Sequence, residues 1–282
     1  MSHHIVEASG LEYTYPTGTQ ALRGVTFRTE HGESVGIIGA NGAGKSTLLL
    51  HLNGCLLATR GSVRVCDLLV TRSTLPELRR SVGMVFQDPN DQLFMPTVQE
   101  DVAFGPQNMH LPSQEVQSRV KQALAAVGCT HLAARPPYEL SGGEKRAVAI
   151  ATVLAMAPDI LVLDEPASGL DPRARRVLIK LLKGFSQTKI IAAHDLDMIY
   201  ELCTRVVLLH EGRVLADGPA QEILADQGLL LRSGLELPLR LQGCPKCSGQ
   251  SRSPDLHDPA SGATRALTRP ASNALAVKRS AS

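Results

Sequence analysis

A glycine-rich stretch wedged between an apolar run and a helix-forming run constrains this chain more than any other feature. Val35-Gly36-Ile37-Ile38 reads as a short buried strand, and Lys45 to about Leu52 as a helix that ends near Gly54. Between them lie Gly39, Ala40, Asn41, Gly42, Ala43 and Gly44, followed by Lys45, Ser46 and Thr47. The spacing is G-x-x-x-x-G-K-[ST]. Glycines let backbone N–H groups curl around phosphate oxygens where a Cβ would obstruct them, and the helix that follows adds its positive end. Lys45 is placed to reach the β- and γ-phosphates, and the Ser46 hydroxyl to reach Mg²⁺. A plain glycine turn would explain the glycines but not the Lys-Ser pair at the head of a helix.

The rest of the chain suits that loop. Ile160 to Leu163 and Lys189 to Ala193 are continuous apolar strands, and Val82 to Phe86 is a third. Pro112 to Val127 and Pro172 to Lys183 have helical spacing, each followed by a glycine. Alternation of apolar strands with helices predicts an α/β fold with a largely parallel sheet covered by helices. Residues 5–35 read as short strands with turns, a smaller β layer. Residues 88–158 read as an inserted helical subdomain. "RVVLLHEGRVLADG" predicts a hairpin turning at His210-Glu211-Gly212. The pattern fails past about Pro238, which predicts one ATPase-sized domain over residues 1–236 and a disordered extension over 237–282. Residues 248–282 of that extension carry five basic against two acidic residues.

Hydrolysis of a nucleotide needs more than a cradle. "ILVLDE" puts Asp164 and Glu165 at the end of a buried strand, the edge at which open α/β sheets bind ligands. There Asp164 suits a Mg²⁺ shell, and Glu165 suits the orientation or deprotonation of an attacking water. "LSGGE" admits two readings: Ser141 and Glu144 have the spacing of a helix capping box, and a glycine-flanked helix start is also a phosphate site. Since the chain's own phosphate loop fills that role, the second reading points to the nucleotide of another subunit.

Taken together these segments resemble the ATP-binding-cassette (ABC) ATPases. "GANGAGKST" matches the Walker A loop, "LSGGEKRAVAIA" the family signature and "ILVLDEP" Walker B. "SGLD" (168–171) matches the D-loop, "AHD" (193–195) the switch histidine and Gln87 the Q-loop. All six occur in family order over roughly residues 1–236. The resemblance implies a P-loop NTPase (RecA-like) core with an N-terminal antiparallel β subdomain and the helical insertion. It implies ATP and Mg²⁺ as cofactors and a head-to-tail dimer. In that dimer each ATP lies between one chain's Lys45 loop and the other's Ser141, Gly142 and Gly143. It casts Glu165 as catalytic base, His194 as a γ-phosphate contact, and Gln87 as a sensor of Mg²⁺ and water. Tyr15 becomes the residue that stacks on adenine, although a strand aromatic in the core explains it too. Asp171 belongs to the D-loop and equally suits a helix cap before Pro172.

Several classes use this engine. About 95 residues separate Lys45 from Ser141, with no sustained heptads, unlike the chromosome-maintenance ATPases. The chain has a single cassette, unlike the translation-associated members. Its longest near-apolar run, Ala147 to Ala157, is far short of a membrane span. The start of the chain lacks the pattern of a signal peptide. A net charge of +2 favours neither nucleic acid nor an acidic partner. This leaves a separate ATPase subunit of a transporter, peripheral on the cytoplasmic face of the inner membrane. "VFQDPNDQLFMPTVQEDVAFGPQN" resembles the Q-loop region of energy-coupling-factor (ECF) importers, and within them the CbiO-type branch that serves Co²⁺ or Ni²⁺ uptake. The implied partners are a transmembrane coupling subunit, a metal-binding membrane subunit and a second copy of this chain. A vitamin-importing ECF ATPase is the alternative, and a nucleic-acid ABC ATPase a more distant one.

One departure stands out: many family signatures have Arg where this chain has Ala147, a position past the phosphate contacts. Four cysteines (Cys55, Cys66, Cys129, Cys203) sit among apolar neighbours and are expected as buried free thiols of a reducing compartment. Cys244 and Cys247 form a lone C-x-x-C, and His3 with His4 an adjacent pair; a structural metal site usually needs four ligands, so both are weak signals.

Overall fold

The structure, a computed structural model, describes residues 4–242. The predicted disorder of residues 243–282, the Cys244/Cys247 pair, His3 and the His4 side chain lie outside what it describes. In chain order the elements are β1 (His4–Thr14), β2 (Gln20–Glu30), β3 (Ser34–Ile38), α1 (Lys45–Leu52), β4 (Arg60–Val65) and β5 (Leu68–Leu69). There follow α2 (Leu75–Ser81), β6 (Val82–Val85), α3 (Val98–Asn108), α4 (Ser113–Ala126), α5 (Gly142–Leu154), β7 (Ile160–Asp164) and α6 (Pro172–Lys183). The chain continues through β8 (Thr188–Ala192), α7 (Leu196–Leu202), β9 (Arg205–His210), β10 (Arg213–Pro219), α8 (Ala220–Ala225) and α9 (Gln227–Arg232).

Two sheets form. The antiparallel one has the order β2-β1-β4-β5, and the other the order β10-β9-β3-β8-β7-β6. In the second sheet every neighbouring pair is parallel except the edge hairpin β10–β9. Burial explains the composition of its strands: β6, β7 and β8 are buried at every position, as strands covered on both faces must be. Alternate residues feed two cores. Ile37, Val162, Ile190 and Val207 pack with α1 and the antiparallel sheet. Ile38, Leu161, Leu163, Ile191 and Leu208 pack with helices on the opposite face, among them α5, α6 and α7.

This topology fixes the site. β8 lies between β3 and β7, with Ala192 in register with both Ile37 and Asp164. The carboxyl ends of three adjacent strands therefore deliver the glycine loop, the Asp164-Glu165 pair and His194 to one edge.

The parallel core, the antiparallel layer, the helical segment and the hairpin stand as expected, the last turning at Glu211-Gly212. Cys129 and Cys203 are buried as expected, and burial pushes the Cys203 thiol up to about 12. Three findings differ. Cys55, expected to be buried, is exposed and Cys66 half-buried, because both lie in turns that follow α1 and β4. Residues 237–242 carry a turn of 3₁₀ helix (Leu239–Leu241) and are held against α7: Asp197 accepts from the backbone N–H groups of Leu239 and Arg240. Helix α2 had no periodic signal; Pro76 near its start and its two arginines at the end are its only local marks.

Candidate functional site

The loop after β3 is shaped by what a side chain would meet. Gly39 has φ +152°, and a Cβ there would lie 2.3 Å from the Leu209 carbonyl oxygen. Gly44 has φ +103°, and its Cβ would lie 2.7 Å from the Ala21 carbonyl oxygen. Both positions therefore require glycine, for backbone and for space. Lys45 is buried at 7% exposure, its Nζ donating to Gly39 O (2.8 Å) and Ala40 O (3.3 Å). The ammonium is thus held against the loop by two of its carbonyls.

A cavity of about 560 Å³ opens over this loop. Asn41, Gly42, Gly44, Lys45, Ser46 and Thr47 line it from the loop and α1; Tyr15, Gln87, Glu165 and His194 line it from four other segments. Glu165 adopts φ +45°, unusual for a non-glycine residue and a form of strain that clusters at functional sites. Its Oε2 accepts from the His194 backbone N–H (3.2 Å) and meets His194 Nδ1 at 2.6 Å.

Asp164 lies beneath. Burial raises the pKa of its carboxyl, against a lowering hydrogen bond from Ser46; Glu165 pushes it further up and Lys45 pulls it down. Its Oδ1 is buried without a hydrogen-bond partner. Asp164 does not line the cavity itself, but a buried carboxylate oxygen with no donor, on a side chain hydrogen-bonded by Ser46 and within electrostatic reach of Lys45, fits the donor set of a hard divalent cation such as Mg²⁺.

Ser141, Gly143 and Asp171 do not share this cavity; they line a separate one of about 530 Å³. Ser141 forms a full capping box: its Oγ accepts from Glu144 N, and its backbone N–H donates to Glu144 Oε2 at 2.8 Å. The Ser141 hydroxyl also donates to Glu144 Oε2 at 2.7 Å, and this bond, with the one from the Ser141 backbone N–H, holds the Glu144 carboxyl below its ordinary pKa. Asp171 caps α6, accepting from Arg173 N (2.8 Å) and Ala174 N (3.0 Å). Both capping readings of the sequence are present, and both residues remain exposed.

Several residues around these loops carry no signal in the sequence. Arg146, buried at 4% exposure, donates to Phe86 O (2.9 Å) beside Gln87 and to Ser168 O (3.4 Å). Arg175 pairs with Asp195 through Nε (2.5 Å) and Nη2 (2.8 Å), tying the start of α6 to the residue after His194. Asp101 Oδ1 accepts from Phe94 N and Met95 N, at 3.0 Å each. That clip presents Phe94, 61% exposed, edge-to-face on Phe104 at the rim of a groove of about 340 Å³. Arg146, Arg175 and Asp101 read as ordinary polar helix positions; only their tertiary partners distinguish them.

Comparison with known proteins follows the same lines. Residues 22–168 match the family described as ABC transporter. GSU1281 of Geobacter sulfurreducens, an ABC transporter ATP-binding protein by its name, is 65% identical over 88% of this chain and 99% of its own length. The energy-coupling factor transporter ATP-binding protein EcfA of Methanocaldococcus jannaschii is 45% identical over 83% of this chain and 86% of its own. Among solved structures, CbiO1 of Clostridium perfringens, described as part of the ABC transporter complex CbiONQ, superposes with TM-score 0.73. It has 40% identity and covers 82% of this chain and 94% of that one. The cassette MJ0796, solved as a dimer in a post-hydrolysis state with ADP and Pi, has TM-score 0.69 and 28% identity over 76% of this chain and 98% of its own.

Proposed function

The chain belongs to the ABC transporter ATP-binding family, and from that premise we infer that it hydrolyses ATP to energise an ECF-type importer of Co²⁺ or Ni²⁺. The observation that carries the hydrolytic part is the single cavity that gathers Lys45, Ser46, Glu165 and His194 above the unpartnered Asp164 oxygen. The cargo rests on the likeness to CbiO1 of the CbiONQ complex.

The loop N–H groups and Lys45 bind the β- and γ-phosphates, and Tyr15 offers its ring to adenine. Ser46, Asp164 and Gln87 would hold Mg²⁺, which supplies charge neutralisation on the phosphate oxygens when bound. Glu165 takes a proton from the attacking water; the water oxygen bonds to the γ-phosphorus as the bond to the bridging oxygen of ADP breaks. The His194 backbone N–H and ring fix the orientation of the Glu165 carboxylate, and His194 is close enough to the cavity to meet the γ-phosphate.

Ser141, Gly142, Gly143 and Asp171 act on the nucleotide of a second copy. Their separation from the chain's own phosphate cavity supports that reading, as does the dimeric likeness of MJ0796. ATP closes the dimer, the helical segments move with α5, and the membrane coupling subunit follows. The exposed Phe94–Phe104 rim is the surface offered to that subunit. No helix among the described residues is long and apolar enough to cross a membrane, which suits a peripheral subunit on the cytoplasmic face.

The name of the relative EcfA carries no cargo, so a vitamin importer is the second reading. Purification of the chain with its partners from native membranes, followed by mass spectrometry, separates them. A coupling subunit with a metal-binding membrane subunit is the expected result. A vitamin-binding membrane subunit would replace the cargo. Nucleic acid or ribosomal partners without a membrane protein would overturn the transport role.

A further inference from the structure

Four residues outside the hydrolytic machinery close a ring of contacts between the antiparallel layer and the phosphate-loop helix. Tyr15, in the turn between β1 and β2, holds Thr47 through its hydroxyl (OH to Oγ1, 3.1 Å). Thr47 O accepts from His51 Nδ1 at 2.7 Å, one helical turn along α1. The His51 ring meets Tyr13 edge-on at 4.8 Å between centroids, and Tyr13 meets Tyr15 edge-on at 4.9 Å. The last contact returns to the starting residue.

Each member is constrained from more than one side. The Tyr15 backbone closes the hairpin turn, donating to Thr19 O and accepting from Gly18 N. His51 is 1% exposed, and burial lowers its pKa, which favours the neutral ring; the bond to Thr47 O, which can only accept, puts its proton on Nδ1. Tyr13 is half-buried against the core between the two layers. Edge-to-face aromatic pairs contribute beyond the area they bury, and they fix ring orientation. Thr47 sits two residues past Lys45, so the brace and the cradle share one rigid helix.

The geometry points to a built-in spacer: Tyr13, His51 and Thr47 hold the Tyr15 ring at a set distance and tilt from the phosphate loop, which makes Tyr13 and His51 positioning residues for recognition of the base of a nucleoside triphosphate. The inference rests on the reading of Tyr15 as the base-stacking residue. A nucleotide that engages the cradle then meets a ring already in place, and ordering cost at binding is reduced. A ligand with the same phosphates and no base gains nothing from the brace.

The test compares calorimetric binding of Mg-ATP with that of Mg-tripolyphosphate to the full chain. Tyr15→Ala is expected to weaken ATP about tenfold and to leave tripolyphosphate within about twofold, the loss of one stacking contact. His51→Ala and Tyr13→Leu should each weaken ATP about three- to fivefold, again sparing tripolyphosphate. His51→Phe, which keeps the ring contact but not the bond to Thr47 O, should recover part of the loss. Tyr13→Leu retains apolar volume at a half-buried position and carries the test if His51→Ala does not fold.

Equal weakening of both ligands would mean that His51 and Tyr13 merely support α1 and would overturn the inference. So would an unchanged ATP affinity in both variants while Tyr15→Ala loses it. Unchanged ATP affinity in Tyr15→Ala would instead remove the base-stacking reading itself.

Discussion

The phosphate cradle and the Ser141–Asp171 face are both nucleotide motifs by sequence, yet the structure treats them in opposite ways. The cradle is buried and poised: Lys45 rests on loop carbonyls, Asp164 keeps an unpartnered oxygen, and Glu165 sits in a strained conformation. The Ser141–Asp171 face is exposed and self-satisfied, each polar group spent on a helix cap. Poised groups need a ligand to complete them. Capped groups are stable alone and offer a ligand only the spare capacity of a helix start. The contrast is what a composite site requires: one half organised for substrate within the subunit, the other stable in solution until a second copy arrives.

Substitutions on the two sides should therefore separate. Lys45→Ala removes the charge that the loop is built around, and ATP affinity measured by calorimetry should fall on the order of a hundredfold. An unchanged affinity would sink the cradle assignment. Glu165→Gln should keep ATP binding within about twofold and lower turnover on the order of a hundredfold or more, since only proton transfer is lost. A parallel loss of binding would place Glu165 in substrate affinity rather than chemistry.

Ser141→Ala attacks the other half. It removes a cap worth about 1 kcal/mol of helix stability and, under the proposed function, one phosphate contact of the neighbour's site. Turnover should fall about tenfold, while ATP binding to the isolated subunit stays within about twofold. If binding to the monomer weakened as strongly as turnover, the two regions would be one site and the contrast would collapse.

The smallest effect concerns Asp164. Burial raises its pKa, so the free protein loses stability as pH climbs through the shifted value and the carboxyl must ionise in place. Asp164→Asn escapes that penalty. Without divalent cations and above neutral pH, its melting temperature should rise by roughly 2–4 °C per kcal/mol relieved. The same substitution should abolish stabilisation by Mg²⁺ in the presence of ATP. A melting temperature that falls would show that the carboxylate is compensated by contacts other than a cation.

Much of this was legible in the sequence because it is local. The glycine loop, the Ser141-x-x-Glu144 box and Asp171 before Pro172 are read from spacings of a few residues, and each geometry follows. Strand order was not legible: nothing near Val35 says that β3 lies between β8 and β9, strands more than 150 residues further on. Arg146, Arg175 and Asp101 escaped for the same reason. A buried guanidinium that bridges Phe86 O and Ser168 O is defined by partners 60 and 22 residues away. The sequence allows Tyr15 both a core and a base-stacking role. In the structure Tyr15 lines the cavity, with its hydroxyl on Thr47 of α1. Cys55 departs from its expected burial because its apolar neighbours lie in a turn at the end of α1, not along a buried face.

The central claim is that two half-sites on one chain become two whole sites in a pair of chains. The direct test is the mass of Glu165→Gln in solution by light scattering, with and without Mg-ATP. A monomer that becomes a dimer of twice the chain mass only when Mg-ATP is added, and reverts to monomer in a Glu165→Gln, Ser141→Arg double variant, is the predicted result. A monomer that remains monomeric at saturating, calorimetrically bound Mg-ATP would contradict it.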